Sequence, residues 1–506
     1  MIRRMLAIVG LLAASGIALG RQDEERGLKL HEPGAFEGLN LFAPLEAATT
    51  YLMDNDGRVI RTWESEYRPG SVPYLLPDGR ILRPGSFGNT GNGTFRGGGA
   101  GYLIEEFTWE GEKTWEFVYS SEAYLMHHDV EPLPNGNVSI VAWERKTRDE
   151  AIAAGRNPEM LREDEVWSEH IIEVRPVRPE GAEIVWEWRL WDHLIQDFDP
   201  EKDNYGEVAR RPELVDINPL GGRGNADWLH VNSIAYNPAH DLIALSVHNT
   251  HELWILDHSV TTEEAKGHSG GRYGKGGDLL YRWGNPAVYR MGAEADQRLF
   301  AQHDVHWIAE GRPGAGNILV FNNGQGRGDG GNYSSIVEIE PPFTAEGGFA
   351  REEGGAWGPT EPIWEYTAPR RQDFYSSFIS GAQRQPNGNT LICSGASGIF
   401  FEVTPEGREV WRYINPVNLG GDEGPGAGRG VGRGAVRGER GRRGGGGGRG
   451  GGGNSRQFAV FRVYRFGLDY PAFEGRDLTP GPLLTDYLKD HPAKRPRGRG
   501  GEPRPD

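Results

Sequence analysis

A hairpin that ends on tryptophan is written six times along the chain, closing at Trp63, Trp115, Trp186, Trp283, Trp364 and Trp411. Between the copies lies a second hairpin, as in SVPYLLPDGRILRPG, HHDVEPLPNGNVSIVAWE, HVNSIAYNPAHDLIALSVH, AQHDVHWIAEGRPGAGNILVFNNG and FISGAQRQPNGNTLICSGA. Its turns, PDG and PNGN, suit tight reversals: proline presets φ, and Asn-Gly tolerates positive φ. Two hairpins make a four-stranded unit. Six such units at roughly fifty-residue spacing predict an all-β fold, a six-bladed β-propeller. The second hairpin has no clear sixth copy, and QFAVFRVYRFGLDYPAF, residues 457–473, is expected to close the ring in its place.

The rest of the chain fits around that core. Residues 1–20 carry a basic start, MIRR, an apolar run and small residues before Arg21, the pattern of a cleavable export signal. This predicts a periplasmic or otherwise exported protein, with the propeller over 36–475. Residues 420–454 are almost entirely glycine and arginine and cannot bury a core, so they read as a disordered insertion within the last repeat. Residues 476–506 form a C-terminal tail, expected to be disordered at its end. The formal charge of −17 argues against a nucleic-acid-binding body. No run after the signal is long enough to cross a bilayer, so no stable membrane insertion is expected. Cys393, the single cysteine, excludes an internal disulfide; its apolar strand NTLICSG points to burial.

In a propeller the innermost strand of each blade lines the central channel. His128 and His303 each stand at the start of such a strand, just before Asp-Val, and His230 stands at the matching place in DWLHVNSIAY. Asn232, two residues on, shares a strand face with His230. The same alternation predicts that Asp129 and Asp304 point away from the channel. Three histidines at matched repeat positions are expected to converge near one axis, where imidazole can act as acid, base, nucleophile or metal ligand. His248 or His251 is expected near the same mouth. His170, His193, His240, His258, His268, His306 and His491 read as surface or structural positions. Trp228 and Trp307 flank the histidines and suit either an aromatic ligand or the blade core. No GxSxG elbow and no phosphate loop are present.

The pieces LFAPLEAATTYLMDNDGRVIRTW, MHHDVEPLPNGNV, DWLHVNSIAYNP, QHDVHWIAEGRPGAGNILVFNNG and SFISGAQRQPNGNTLICSGASGIFFEVTPEG resemble the bacterial arylsulfate sulfotransferases. The resemblance covers most of residues 38–416 and resumes at VYRFGLDYPAF. It implies a six-bladed propeller that moves a sulfuryl group from a phenolic sulfate ester to a phenolic acceptor. It implies ping-pong chemistry through a sulfohistidine, with neither phosphoadenosine phosphosulfate nor any other cofactor and no metal. By resemblance His303 is the nucleophile, His230 and Asn232 are donors to the sulfuryl oxygens, and His128 is the further catalytic histidine with His127 as its alternate. Where the family commonly carries an arginine, this sequence reads LSVHN and places His248. Arg145, Arg327 and Arg384 are the candidates to restore that positive charge, with Arg384 assigned to substrate binding. Two other readings stand beside this one: a non-catalytic propeller that binds an anionic or sulfated ligand, and a metal-dependent propeller hydrolase or lyase. The sequence assigns no oligomeric state.

Overall fold

A computed structural model describes residues 25–88, 92–219, 224–328, 331–345, 347–419 and 456–497. The expected export signal and the glycine-arginine insertion lie outside the described residues. The strands assemble into six antiparallel blades around a ring. Blade 1 runs from Val460–Phe466 at the centre through Leu39–Pro44 and Thr49–Met53 to Val59–Glu64. The blades that follow have innermost strands Tyr74–Leu75, Tyr124–Pro132, Val231–Asn237, His303–Trp307 and Gly381–Arg384. Ring closure is double. Val460–Phe466, inside the stretch expected to close the ring, pairs with Leu39–Pro44, and Gly27–His31 adds a fifth strand to blade 6 against Glu409–Ile414.

The turns behave as their residues predict. Gly136 sits at φ 85 in the PNGN turn of blade 3, where Leu133 N donates to Asn137 O at 2.9 Å. Gly388 sits at φ 91 in the same turn of blade 6. Each blade is a sheet buried on both faces, so successive residues of one strand serve two different neighbours. Ile243 and Leu245 pack with Val141 and Ile171 of blade 3, whereas Leu242 and Ala244 pack with Ile318 and Val337 of blade 5. Equivalent apolar seams fill the other four interfaces.

The six repeated tryptophans form the outer bond of this ring. Each donates its indole N–H to a backbone carbonyl of the next blade: Trp63 to Thr108 (3.0 Å), Trp115 to Gly181 (2.7 Å) and Trp186 to Val260 (2.9 Å). Trp283 reaches Pro359 (2.7 Å), Trp364 reaches Pro405 (2.9 Å), and Trp411 of blade 6 returns to Asn55 of blade 1 (2.7 Å). Cys393 is buried in blade 6 and its thiol is pushed well up by burial. No helix among the described residues is long and apolar enough to cross a membrane.

Candidate active site

The inner strands do not enter the channel as regular ladders. Pairing slips between Met126 and Val130, between Val231 and Ser233, and between His303 and His306. At these bulges non-glycine residues take left-handed backbone: His128 at φ 53, His230 at φ 58 and Asp304 at φ 56. Each such residue costs on the order of 1–2 kcal/mol, and bulges re-aim side chains that a regular strand would alternate.

The result is a cavity of about 450 Å³ at one mouth of the ring, lined by His128, His230, His248 and His303. Neighbouring rings follow one another in an arc, with centroids 4.4 Å apart for His128–His230, 5.3 Å for His230–His248 and 5.4 Å for His248–His303. Phe461 lies against both ends of the arc, 6.5 Å from His128 and 6.4 Å from His303. Leu45, Phe378 and Ile379 add apolar wall, and Arg68, ion-paired with Glu46 at 2.5 Å, adds the cavity's guanidinium.

His303 has a defined tautomer. Asn323 spends both amide hydrogens on carbonyls, donating to Ser376 O at 2.8 Å and Ile379 O at 3.0 Å. Its oxygen therefore faces His303 Nδ1, 2.9 Å away, and the ring nitrogen must donate. The lone pair falls on Nε2, which the Ile379 N–H approaches at 3.2 Å. That contact comes from strained backbone, Ile379 at φ 50 and Ser380 at φ 93. Burial, foremost, holds the His303 pKa down to about 3, so the ring is neutral at ordinary pH.

The other histidines are wired differently. Burial, then the nearby His230, keeps both His128 and His248 well below the ordinary range. His248 Nδ1 donates to Asn249 Oδ1 at 2.9 Å. His230 pairs through Nδ1 with Asp227. His127 lies behind the cavity wall, stacked on Trp143, and links Glu169 (3.0 Å from Nε2) to His128 (2.8 Å, Nδ1 to Nδ1). Burial pushes the Glu169 carboxyl well up and the His127 ring down to about 3.

Below this layer Arg462 joins Asp129 (2.8 Å) and Asp304 (2.9 Å). The three come from the innermost strands of blades 1, 3 and 5, which alternate around the ring and meet only at its axis. The expectation that both aspartates turn away is therefore corrected, because the bulges break the period-two alternation on which it rested. Burial alone would raise Asp304, but Arg462 and His306 outweigh it and hold its carboxyl low.

Several expected site residues lie elsewhere. Asn232 is fully buried and donates to Gln302 O at 2.8 Å, outside the cavity lining. Arg384 ends its strand away from the histidines, with its guanidinium on Glu338 Oε2 at 2.6 Å and against Trp364. Arg145 is bound to Glu165, and Arg327 to Ser335 Oγ at 2.8 Å. His251 accepts the Ala301 N–H at 2.9 Å, and Trp228 and Trp307 belong to the blade cores. Sequence reasoning missed Glu169, Asp227, Arg68, Phe461 and Arg462. Asn323 lies in the quoted stretch ending NILVFNNG, Asp227 opens DWLHVNSIAY, and Phe461 and Arg462 lie in QFAVFRVYRFGLDYPAF, but none of these was assigned to the site; Glu169 and Arg68 left no trace. A larger cleft of about 760 Å³ between the outer parts of blades 4 and 5 contains no histidine. Its Arg298 is spent on Glu361 at 3.0 Å.

Two curated relatives carry the name arylsulfate sulfotransferase AssT. The protein from Lelliottia amnigena is 27% identical over 236 residues, covering 43% of this chain and 35% of its own. That from Escherichia coli O6:H1 is 25% identical over 250 residues, covering 42% and 38%. The matched region thus spans little more than a third of either relative. A crystal structure of a protein of unknown function from Bacteroides caccae aligns over 74% of this chain and 93% of its own, at 11% identity and a TM-score of 0.39. The family model for arylsulfotransferase (ASST) matches residues 30–340, which include all four cavity histidines. That match covers more than half of the sequence, and the chain belongs to the arylsulfotransferase family.

Proposed function

We propose that the protein is an exported aryl-sulfate sulfotransferase that carries the sulfuryl group on His303. The observation that carries this reading is the Asn323-fixed tautomer of His303, which leaves a neutral ring with its lone pair on Nε2 in a partly aromatic cavity at the mouth of the ring. In the first half-reaction Nε2 attacks sulfur, the S–O bond breaks, and the phenol departs with a proton from His128. The N-sulfonated ring gains positive charge, and its Nδ1–H bond to Asn323 Oδ1 strengthens as it does so. In the second half-reaction the acceptor phenol gives its proton to His128, its oxygen attacks sulfur, and the S–N bond breaks. His128 alternates between acid and base through the Glu169–His127–His128 chain, which shuttles the proton without solvent.

The cavity supplies the remaining terms. His230, held through Nδ1 by Asp227, borders the space the sulfuryl oxygens would occupy. The Ile379 N–H, released from Nε2 as that nitrogen bonds sulfur, turns to a sulfuryl oxygen. Neutral His248 supplies no fixed charge where the family has arginine, and the cavity's guanidinium, Arg68, is already paired with Glu46 in the same lining.

The test is p-nitrophenyl sulfate with and without phenol. Acceptor-dependent release of p-nitrophenol that disappears in His303→Ala, with a stoichiometric burst in its absence of acceptor, supports the reading. Release by His303→Ala at the wild-type rate overturns it.

A further inference from the structure

A second histidine cluster lies on the outer side of blades 3 and 4, apart from the cavity. His193 closes the short turn Leu190–His193 that follows the outer strand Ala182–Arg189 of blade 3. His268 and Asp278 sit on the long connection between Glu252–Asp257 and Tyr281–Trp283 of blade 4. His193 is fully buried, its ring parallel to Trp188 at 5.6 Å, and its Nε2 donates to the Ala265 carbonyl at 2.8 Å. A carbonyl can only accept, so Nε2 carries a hydrogen. In the neutral ring this puts the lone pair on Nδ1, which faces Asp278 Oδ1 at 2.8 Å.

That arrangement asks for a cation. His268 brings a second Nδ1 to the same carboxylate oxygen, 2.7 Å away. The three atoms lie within 4.8 Å of one another, and Asp278 is almost completely buried. An imidazole whose far N–H is held by a backbone carbonyl has the support that a metal-bound histidine needs. The His268 side chain is 53% exposed, which leaves an approach for the ion and for a coordinated water. Two imidazole nitrogens with one carboxylate suit a borderline transition ion, whereas calcium and magnesium favour all-oxygen sets.

We propose that His193, His268 and Asp278 bind one divalent transition-metal ion of the zinc class, clipping the outer edge of blade 3 to the connection within blade 4. The test uses the full chain stripped with a chelator and titrated with zinc by calorimetry, alongside thermal melts. The expected result is one ion per chain with a raised melting temperature, no shift with calcium or magnesium, and an affinity at least ~10-fold weaker in His268→Ala and in Asp278→Asn. His268→Ala alters an exposed side chain and retains the fold. Absence of zinc binding overturns the proposal and leaves the His193–Asp278 contact as a structural hydrogen bond. Binding of equal strength in His268→Ala also overturns it, since the ion would then bind without that ligand.

Discussion

His127, His128, His248 and His303 are held neutral by burial at a pH where exposed imidazoles begin to protonate. The unfolded chain takes up those protons below about pH 6.5, whereas folded His303 resists until about 3. Stability from His303 is therefore complete above about pH 6.5 and is lost as pH falls toward 3, on the order of 1 kcal/mol per unit. Buried carboxyls shift the other way: Glu131 is pushed up to about 8 by burial, then by Asp129. The difference between wild type and His303→Gln isolates the histidine. Denaturant titrations at pH 7.5 and 5 should show the variant losing less stability, and equal losses would contradict the buried neutral ring. A second residue-scale prediction concerns Gly99. A Cβ there would lie 2.3 Å from His128 Cε1 and Nε2, on backbone at φ 74. Gly99→Ala should cut sulfuryl transfer at least ~10-fold by displacing that ring. Gly111→Ala, at φ 95 with open space around it, should leave the rate unchanged and so separates ring displacement from backbone strain.

At the scale of elements, the repeated tryptophan was legible as punctuation but not as a bond. The spacing of Trp63 through Trp411 gives the blades because it marks the last strand of each unit. It cannot show that every indole reaches the neighbouring blade, since the acceptors lie in different turns, such as Thr108, Gly181 and Asn55. The histidines were legible for the same reason: His128, His230 and His303 occupy one repeat position. Asp129, Asp304 and Asn232 were misread because period-two alternation assumes a regular strand, and the bulges at His128, between Val231 and Ser233, and at Asp304 break it. Glu169 belongs to a strand with no motif of its own, and Phe461 was read only as part of the ring-closing stretch. The tryptophan bonds make a direct prediction. Trp411→Phe keeps an aromatic ring in the core but orphans the buried Asn55 carbonyl, and should cost about 1–3 kcal/mol. A lowered denaturation midpoint with unchanged transfer activity is the expected outcome; an unchanged midpoint would mean that water replaces the indole without loss.

For the whole molecule, the decisive element is Val460–Phe466, which lies far from its partner Leu39–Pro44 in sequence and completes three things together. It supplies the inner strand of blade 1, the Phe461 wall of the cavity, and the Arg462 cation between Asp129 and Asp304. Removing the cation alone leaves two buried carboxylates without their counter-ion, a loss of about 3–5 kcal/mol. Removing the strand also exposes the edge of Leu39–Pro44, which is buried along its length. A chain ending at Leu419 should therefore lose cooperative unfolding and sulfuryl transfer together, whereas Arg462→Met should lose stability while retaining the ring. Adding residues 456–497 as a separate peptide should restore both properties to the truncated chain, because the missing strand binds by edge pairing and needs no covalent link. A truncated chain that stays cooperative and active would show that the five blades and an open blade 1 hold the histidine arc unaided, and that strand closure does not position the site.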